Sequence, residues 1–336
     1  MTSKNTSLNI NKIPFLLKPE GRDYLWGGTR LNDDFSKNLG LYPLAESWEC
    51  VTMPDCSNVI ASGFYKGKNL REVVLDNPEM LGTNQKITEG IPVLVKFIDA
   101  KGNLSVQVHP DDDYAKVHEN GSLGKTEMWY VVEASKDAQL IYGFLHDMKK
   151  ENVRESLKNK TIEKYLQKIP VKKGDVFFIP AGQVHAIGAG CLIAEVQECS
   201  NITYRLYDYN RIDKDGNKRP LHIEKALDVM NYKGSACPRQ PMHTMRFRRG
   251  VMIESISQCE YFQVEKITLD TQRCRELTSF KTRTDTFRIL LCIEGCGTIF
   301  WDGGSLNFFR GDCIFVPADS VEYSAHGQAE LLRISC

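Results

Sequence analysis

The sequence predicts an all-β fold of two tandem β-barrels with a few inserted helices. Three observations carry this. Short runs of five to eight residues rich in Val, Ile, Phe and Tyr, punctuated by Gly, Pro, Asn and Asp, dominate the chain and read as strands. A pattern is repeated: GDVFFIPAGQVHAIG at 174–188 returns as GDCIFVPADSVEYSA at 311–325. Two copies of one β unit imply two related barrels. Helical spacing, by contrast, is confined to a few segments.

Taken in order, the first dozen residues are polar and expected to be loose. NLREVVLDNPEML (69–81) reads as a short helix. Strands follow in IPVLVKFIDA (91–100), LSVQVHP (104–110), EMWYVVEA (127–134) and AQLIYGF (138–144). DMKKENVRESLKNKTIEKYLQKI (147–169) has Val153, Leu157, Ile162, Tyr165 and Leu166 at helical spacing, which predicts a helix inserted within the first β unit. DVFFIP (175–180) and CLIAEVQE (191–198) are strands, and a second short helix is expected over His222–Asn231. GSACPRQ (234–240) is a connector, dividing an N-terminal domain (1–233) from a C-terminal one (234–336). Strands resume in YFQVEKITL (261–269), FRILLCIEG (287–295), GTIFWDG (297–303) and CIFVP (313–317).

A length of 336 residues fits two domains, and 42% apolar with 26% charged residues is ordinary for a globular protein. The formal net charge is zero, which gives no electrostatic footprint for nucleic acid or an anionic membrane. The N-terminus has no apolar core of a secretion signal, and no run of eighteen apolar residues offers a membrane span. The eleven cysteines are odd in number, scattered, and form no CxxC pair, so reduced thiols in a cytoplasmic protein are expected.

Residues two apart in a strand face the same side, so Gln107 and His109 enter one interior together. Glu127 opens the following strand, and His185 follows the glycine turn PAGQVH. Two imidazoles, a carboxylate and a carboxamide make an all-N/O set that suits Zn²⁺, Mn²⁺, Fe²⁺ or Co²⁺. His118, His146, His222, His243 and His326 lack such a pattern and read as hydrogen-bonded core or surface residues. In the second copy Glu322 replaces the histidine and Arg288 aligns with Glu127, so the C-terminal barrel is expected to be metal-free.

Gly174-x5-Pro180-x-Gly182-x-x-His185 resembles the second cupin signature, whose histidine is a metal ligand on a jelly-roll strand. The QxH variant in SVQVHPDDDYA, followed by GKTEMWYV, PAGQVHAIGAG and ITYRLYDYNR, resembles the class I mannose-6-phosphate isomerases in their short bacterial form. KPEGRDYLWGGTRL (18–31), AESWE (45–49) and LVKFIDAKGNLS (94–105) fit the same family. The resemblance implies jelly-roll barrels and a zinc-dependent aldose–ketose isomerase, which interconverts mannose 6-phosphate and fructose 6-phosphate through a cis-enediol. It implies His109, Glu127 and His185 as ligands, with Gln107 as a fourth. Arg205 matches the family's catalytic arginine, Lys125 an active-site lysine, and Ser105 a serine linked to the phosphate end. Asn201 stands where many members carry an aspartate, and is expected to orient substrate or Arg205. The partner is then a phosphorylated hexose, and the chain a monomer or weak homodimer. Two other readings share the ligand set: an Fe²⁺ cupin dioxygenase, which has no evident need of Lys125 and Arg205, and a non-catalytic sugar-binding two-barrel protein.

Overall fold

The computed structural model of the protein describes residues 10–84, 89–212, 216–235 and 244–336. Most of the GSACPRQ connector, the first nine residues and His243 therefore lie outside the described residues. The chain divides into two compact units, one of residues 1–20, 49–92 and 242–336, the other of 21–48 and 93–241.

The second unit carries two sheets. In the six-stranded sheet the order is Val176–Ile179, Glu127–Ala134, Cys191–Glu198, Val93–Asp99, Glu46–Cys50, Glu20–Arg22. In the five-stranded sheet it is Leu166–Pro170, Gln139–Phe144, His185–Ile187, Val106–Val108, Tyr204–Tyr207. Trp129, Val131, Phe177 and Ile193 from the first sheet pack with Leu140 and Ile187 from the second in one buried cluster. The first unit holds a ten-stranded sheet whose core includes Val251, Ile267, Leu290, Ile314 and Leu331, and a two-stranded pair, Thr52–Met53 with Cys56–Ser57.

This corrects the expected fold class. Among the described residues all four sheets are open: in the ten-, six- and five-stranded sheets the two end strands do not pair with each other, so none closes into a jelly-roll barrel. Nor is the chain all-β, since helices at Arg30–Asp33, Leu70–Asp76, Asp112–His118, Lys150–Lys158 and Ile223–Val229 make it a mixed fold of α and β. An alternating strand satisfies a face-to-face pair of open sheets as well as it satisfies a barrel, so the pattern could not tell them apart.

The helix expected over 147–169 is also shorter. It spans Lys150–Lys158 and stops at Asn159, after which Lys160 turns the backbone left-handed at φ 56°. Leu166–Pro170 is instead an edge strand, pairing Leu166 with Phe144 and Ile169 with Leu140. Pro170, which has no N–H to give, is tolerated there because an edge strand needs only one partner. A helix not foreseen from the sequence, Asp112–His118, starts where the Asp111 side chain accepts the Tyr114 N–H at 2.9 Å. It turns the chain away directly after His109.

Candidate metal centre and cavity

Register builds the site. Across the five-stranded sheet Tyr142 pairs with His185, His185 with Gln107, and Gln107 with Arg205. Paired residues on neighbouring strands share a face, so these four side chains form one row. Across the six-stranded sheet a second row runs Phe177, Trp129, Glu195, Lys96. Glu127 lies two residues before Trp129, on that row's face. The PAGQVH turn joins the parts: Gly182, at φ +82°, donates its N–H to the His109 carbonyl at 2.8 Å. A side chain at Gly182 would be strained by that φ and would meet the Val229 carbonyl at 2.9 Å.

His109, Glu127 and His185 are brought together, fully buried, with their ligand atoms within 4.8 Å of one another. His185 Nε2 is 3.2 Å from Glu127 Oε1 and His109 Nε2 is 3.6 Å from Oε2. Each imidazole is oriented from behind: His109 Nδ1 lies 2.8 Å from the Ile202 carbonyl and His185 Nδ1 2.8 Å from the Gln183 carbonyl. A carbonyl only accepts, so the protons reside on Nδ1 and the Nε2 lone pairs face Glu127. Burial keeps both rings neutral, holding His109 well below its ordinary pKa and His185 near about 4.

Glu127 meets two imidazole lone pairs rather than two imidazole donors, and Lys125 is the group that pairs with it. Burial first, then the charge of Glu195, raise the Glu127 pKa to about 7. Such a cluster of acceptors is stable only around positive charge. Lys125 supplies some, its Nζ 2.9 Å from Glu127 Oε2 and 3.2 Å from His109 Nε2, as a stand-in for a cation. The donor set therefore fits a divalent ion bound by two imidazoles and a carboxylate with a position left open. Gln107 Nε2 is 3.3 Å from His185 Nε2, and turning the amide over would offer its oxygen as a fourth donor.

Beside this cluster is a cavity of about 320 Å³ lined by Ser105, Gln107, Lys125, Asn201, Thr203, Arg205 and Arg219, with Tyr24, Glu46, Lys96 and Glu195. Five residues singled out in the sequence thus share its wall. Arg205 donates to the Pro220 carbonyl at 2.8 Å, while its buried Nε has no partner. Burial, and then the neighbouring Arg219, lower its pKa. Arg219 is held by Asp208, with Nε 2.9 Å from Oδ2. Asp208 also pairs with Arg211. His222 is a hydrogen-bonded residue, as expected: its Nδ1 accepts the Arg205 N–H at 3.2 Å.

Sequence reasoning missed a second charged group. Lys96 Nζ is 3.3 Å from Glu195 and 3.7 Å from Glu46, and the two carboxylates accept from the indoles of Trp129 at 2.8 Å and Trp48 at 2.7 Å. Burial would lower the Lys96 pKa, but the three carboxylates of Glu46, Glu195 and Glu127 outweigh it and raise it. Burial likewise pushes Glu195 up, and Lys96 and Lys125 together bring it below its ordinary value. A charged residue amid each of the apolar runs LVKFIDA and CLIAEVQE was the available signal. In the repeat's second copy, Glu322 accepts from the Ser279 hydroxyl and Arg288 donates to the Phe287 carbonyl at 2.9 Å.

Comparison with known proteins agrees with this architecture. Residues 15–123 match the model of the phosphomannose isomerase type I catalytic domain, and residues 252–336 that of the mannose-6-phosphate isomerase cupin domain. A probable mannose-6-phosphate isomerase of Bacillus subtilis, GmuF, is 36% identical over 322 residues, covering 95% of this chain and 98% of that protein. The mannose-6-phosphate isomerase ManA of the same organism is 35% identical over 319 residues, again with 95% and 98% covered. The crystal structure of a mannose 6-phosphate isomerase from Bacillus subtilis superposes with a TM-score of 0.88 at 30% identity, over 96% of this chain and 99% of that one. With nearly the whole of both chains aligned at this identity and a shared fold, the chain belongs to the type I phosphomannose isomerase family.

Proposed function

We propose that the chain is a metal-dependent aldose–ketose isomerase that interconverts mannose 6-phosphate and fructose 6-phosphate. The observation that carries this is the convergence of His109, Glu127 and His185 beside a cavity walled by Lys125 and Arg205. His109, Glu127 and His185, with Gln107, would hold a divalent ion such as Zn²⁺. When bound it supplies Lewis acidity for the sugar oxygens on which charge develops as the proton moves between C1 and C2.

The protein's own groups do the rest. Arg205 stays cationic and suits an enediolate oxygen, with its unpartnered Nε as a ready donor. Lys125, close to Glu127 rather than at the far wall, suits proton transfer at the reacting carbons. Ser105 suits the phosphate end. Asn201, whose amide accepts no proton, orients substrate. Tyr24, Glu46, Lys96 and Glu195 complete a polar wall suited to sugar hydroxyls. No helix among the described residues is long and apolar enough to cross a membrane. We assign a cytoplasmic location on the scattered, odd cysteines.

A coupled assay of fructose 6-phosphate formation from mannose 6-phosphate tests this. The metal-loaded protein should turn over, lose activity to a chelator and regain it with Zn²⁺. No turnover by the metal-loaded protein overturns it.

A further inference from the structure

Lys125 sits on a short stretch between the Asp112–His118 helix and the Glu127 strand, and that stretch is held in an unusual way. The Thr126 N–H donates to Glu198 Oε1 at 2.7 Å, and the Gly124 N–H donates to Asp112 Oδ1 at 2.7 Å. The Glu198 and Asp112 carboxyls are hydrogen-bonded to each other. Two carboxyls can bond only if one carries a proton, so one O–H donates across the pair. Glu198 is 3% exposed, and burial together with the Asp112 charge lifts its pKa to about 8, which makes it the protonated member.

The bonds form a ring: Thr126 N–H to Glu198, Glu198 O–H to Asp112, Asp112 to Gly124 N–H. The backbone amides at its two ends flank Lys125. Lys125's own N–H goes to the Pro110 carbonyl at 3.0 Å, and the Glu198 N–H returns to the Thr126 carbonyl at 3.0 Å. Gly124 packs so closely that a Cβ would lie 2.5 Å from the Asp111 carbonyl carbon and 2.6 Å from the Asp112 nitrogen. Only glycine lets the strand approach the helix start this nearly.

We infer that Glu198 and Asp112 are positioning residues: bonded to each other and to the amides of Thr126 and Gly124, they clamp the backbone on both sides of Lys125 and fix where its side chain enters the cavity. The inference rests on the reading of Lys125 as a working group of the isomerase. Neither Glu198 nor Asp112 lines the cavity, so their effect is exerted through Lys125. A displaced ammonium should cost rate rather than substrate binding.

Glu198→Gln provides the control, because its amide oxygen still accepts from Thr126 and its NH₂ still donates to Asp112. The experiment compares metal-loaded wild type, Glu198→Ala, Glu198→Gln, Lys125→Ala and the Glu198→Ala/Lys125→Ala double variant. Readouts are kcat, KM and amide hydrogen exchange over residues 120–128. Glu198→Ala should speed exchange at Gly124 and Thr126 by about tenfold. It should lower kcat by about 10- to 100-fold with KM nearly unchanged. Glu198→Gln should resemble wild type in both, and the double variant should be no slower than Lys125→Ala. Should Glu198→Ala fail to fold, Asp112→Ala carries the same expectation at Gly124. Unchanged exchange, a Glu198→Gln as impaired as Glu198→Ala, unchanged kcat despite faster exchange, or additive losses in the double variant each overturn the clamp. An inactive wild type would overturn the functional reading instead, while the exchange comparison still decides whether the ring holds the segment.

Discussion

Replacing Glu127 by glutamine keeps the side chain's shape and removes its charge, which isolates the cost of burying that carboxylate. In the metal-free protein burial lifts the Glu127 pKa from 4.5 to about 7, with the pull of Lys125 already included. At 1.36 kcal/mol for each pKa unit, the shift is worth about 3 kcal/mol. The folded state holds the proton more tightly than the unfolded chain, so stability from this group is complete below pH 4.5 and is lost as pH rises through 7. His109 and His185 act in the opposite sense: neutral when folded, they add stability as pH rises through the ordinary histidine range. The glutamine variant keeps both, so the difference between the two proteins belongs to Glu127. Scanning calorimetry after chelation should therefore show Glu127→Gln more stable than wild type by about 3 kcal/mol at pH 8 and by about 1 kcal/mol or less at pH 5. For a unit of this size that is a gap of roughly 6–12 °C in Tm at pH 8. Added Zn²⁺ should raise the wild type and close the gap. Coincident melting of the two chelated proteins at pH 8 would refute the reasoning, because Glu127 would then be at ease without a cation.

Lys96→Ala leaves the buried carboxylates of Glu46 and Glu195 facing each other, and should cost about 3–5 kcal/mol in a thermal melt, more at pH 8 than at pH 5. Arg205→Lys keeps a charge but not the planar fork, and should lower kcat by about 10²- to 10³-fold with metal content intact, measured by steady-state kinetics and elemental analysis. Asn201→Ala should stay within about tenfold of wild-type kcat, since an orienting group is lost rather than a base. Activity as low as that of a His185→Ala variant would make Asn201 essential after all.

The site was legible because its residues obey period two. Gln107 and His109 flank Val108, whose side chain turns to the other core, and register carries the Gln107 row to His185 and Arg205. Glycine marked the turn before His185 for a conformational reason: Gly182 is left-handed at φ +82°. What stayed hidden was of two kinds. Whether alternating strands close into barrels depends on pairing of the end strands, which no local pattern encodes, and the expected barrels proved to be open sheets. Lys96 and Glu195 sit opposite each other on adjacent strands, a pairing that is invisible until register is known. Helical spacing over 147–169 overran because Leu166 and Ile169 suit an edge strand as well as a helix face. Glu198 is the last residue of its strand, and its bonds to Thr126 and Asp112 join segments too far apart in the chain for a local pattern to show.

The most direct test of the metal centre is anomalous X-ray scattering from crystals of the Zn²⁺-loaded protein, measured on both sides of the zinc edge. The expected result is one peak within bonding distance of His109 Nε2, His185 Nε2 and a Glu127 oxygen, with the Lys125 ammonium displaced from its place beside them. Density that puts zinc elsewhere, or leaves Lys125 still bridging Glu127 and His109 in the loaded protein, would contradict the account.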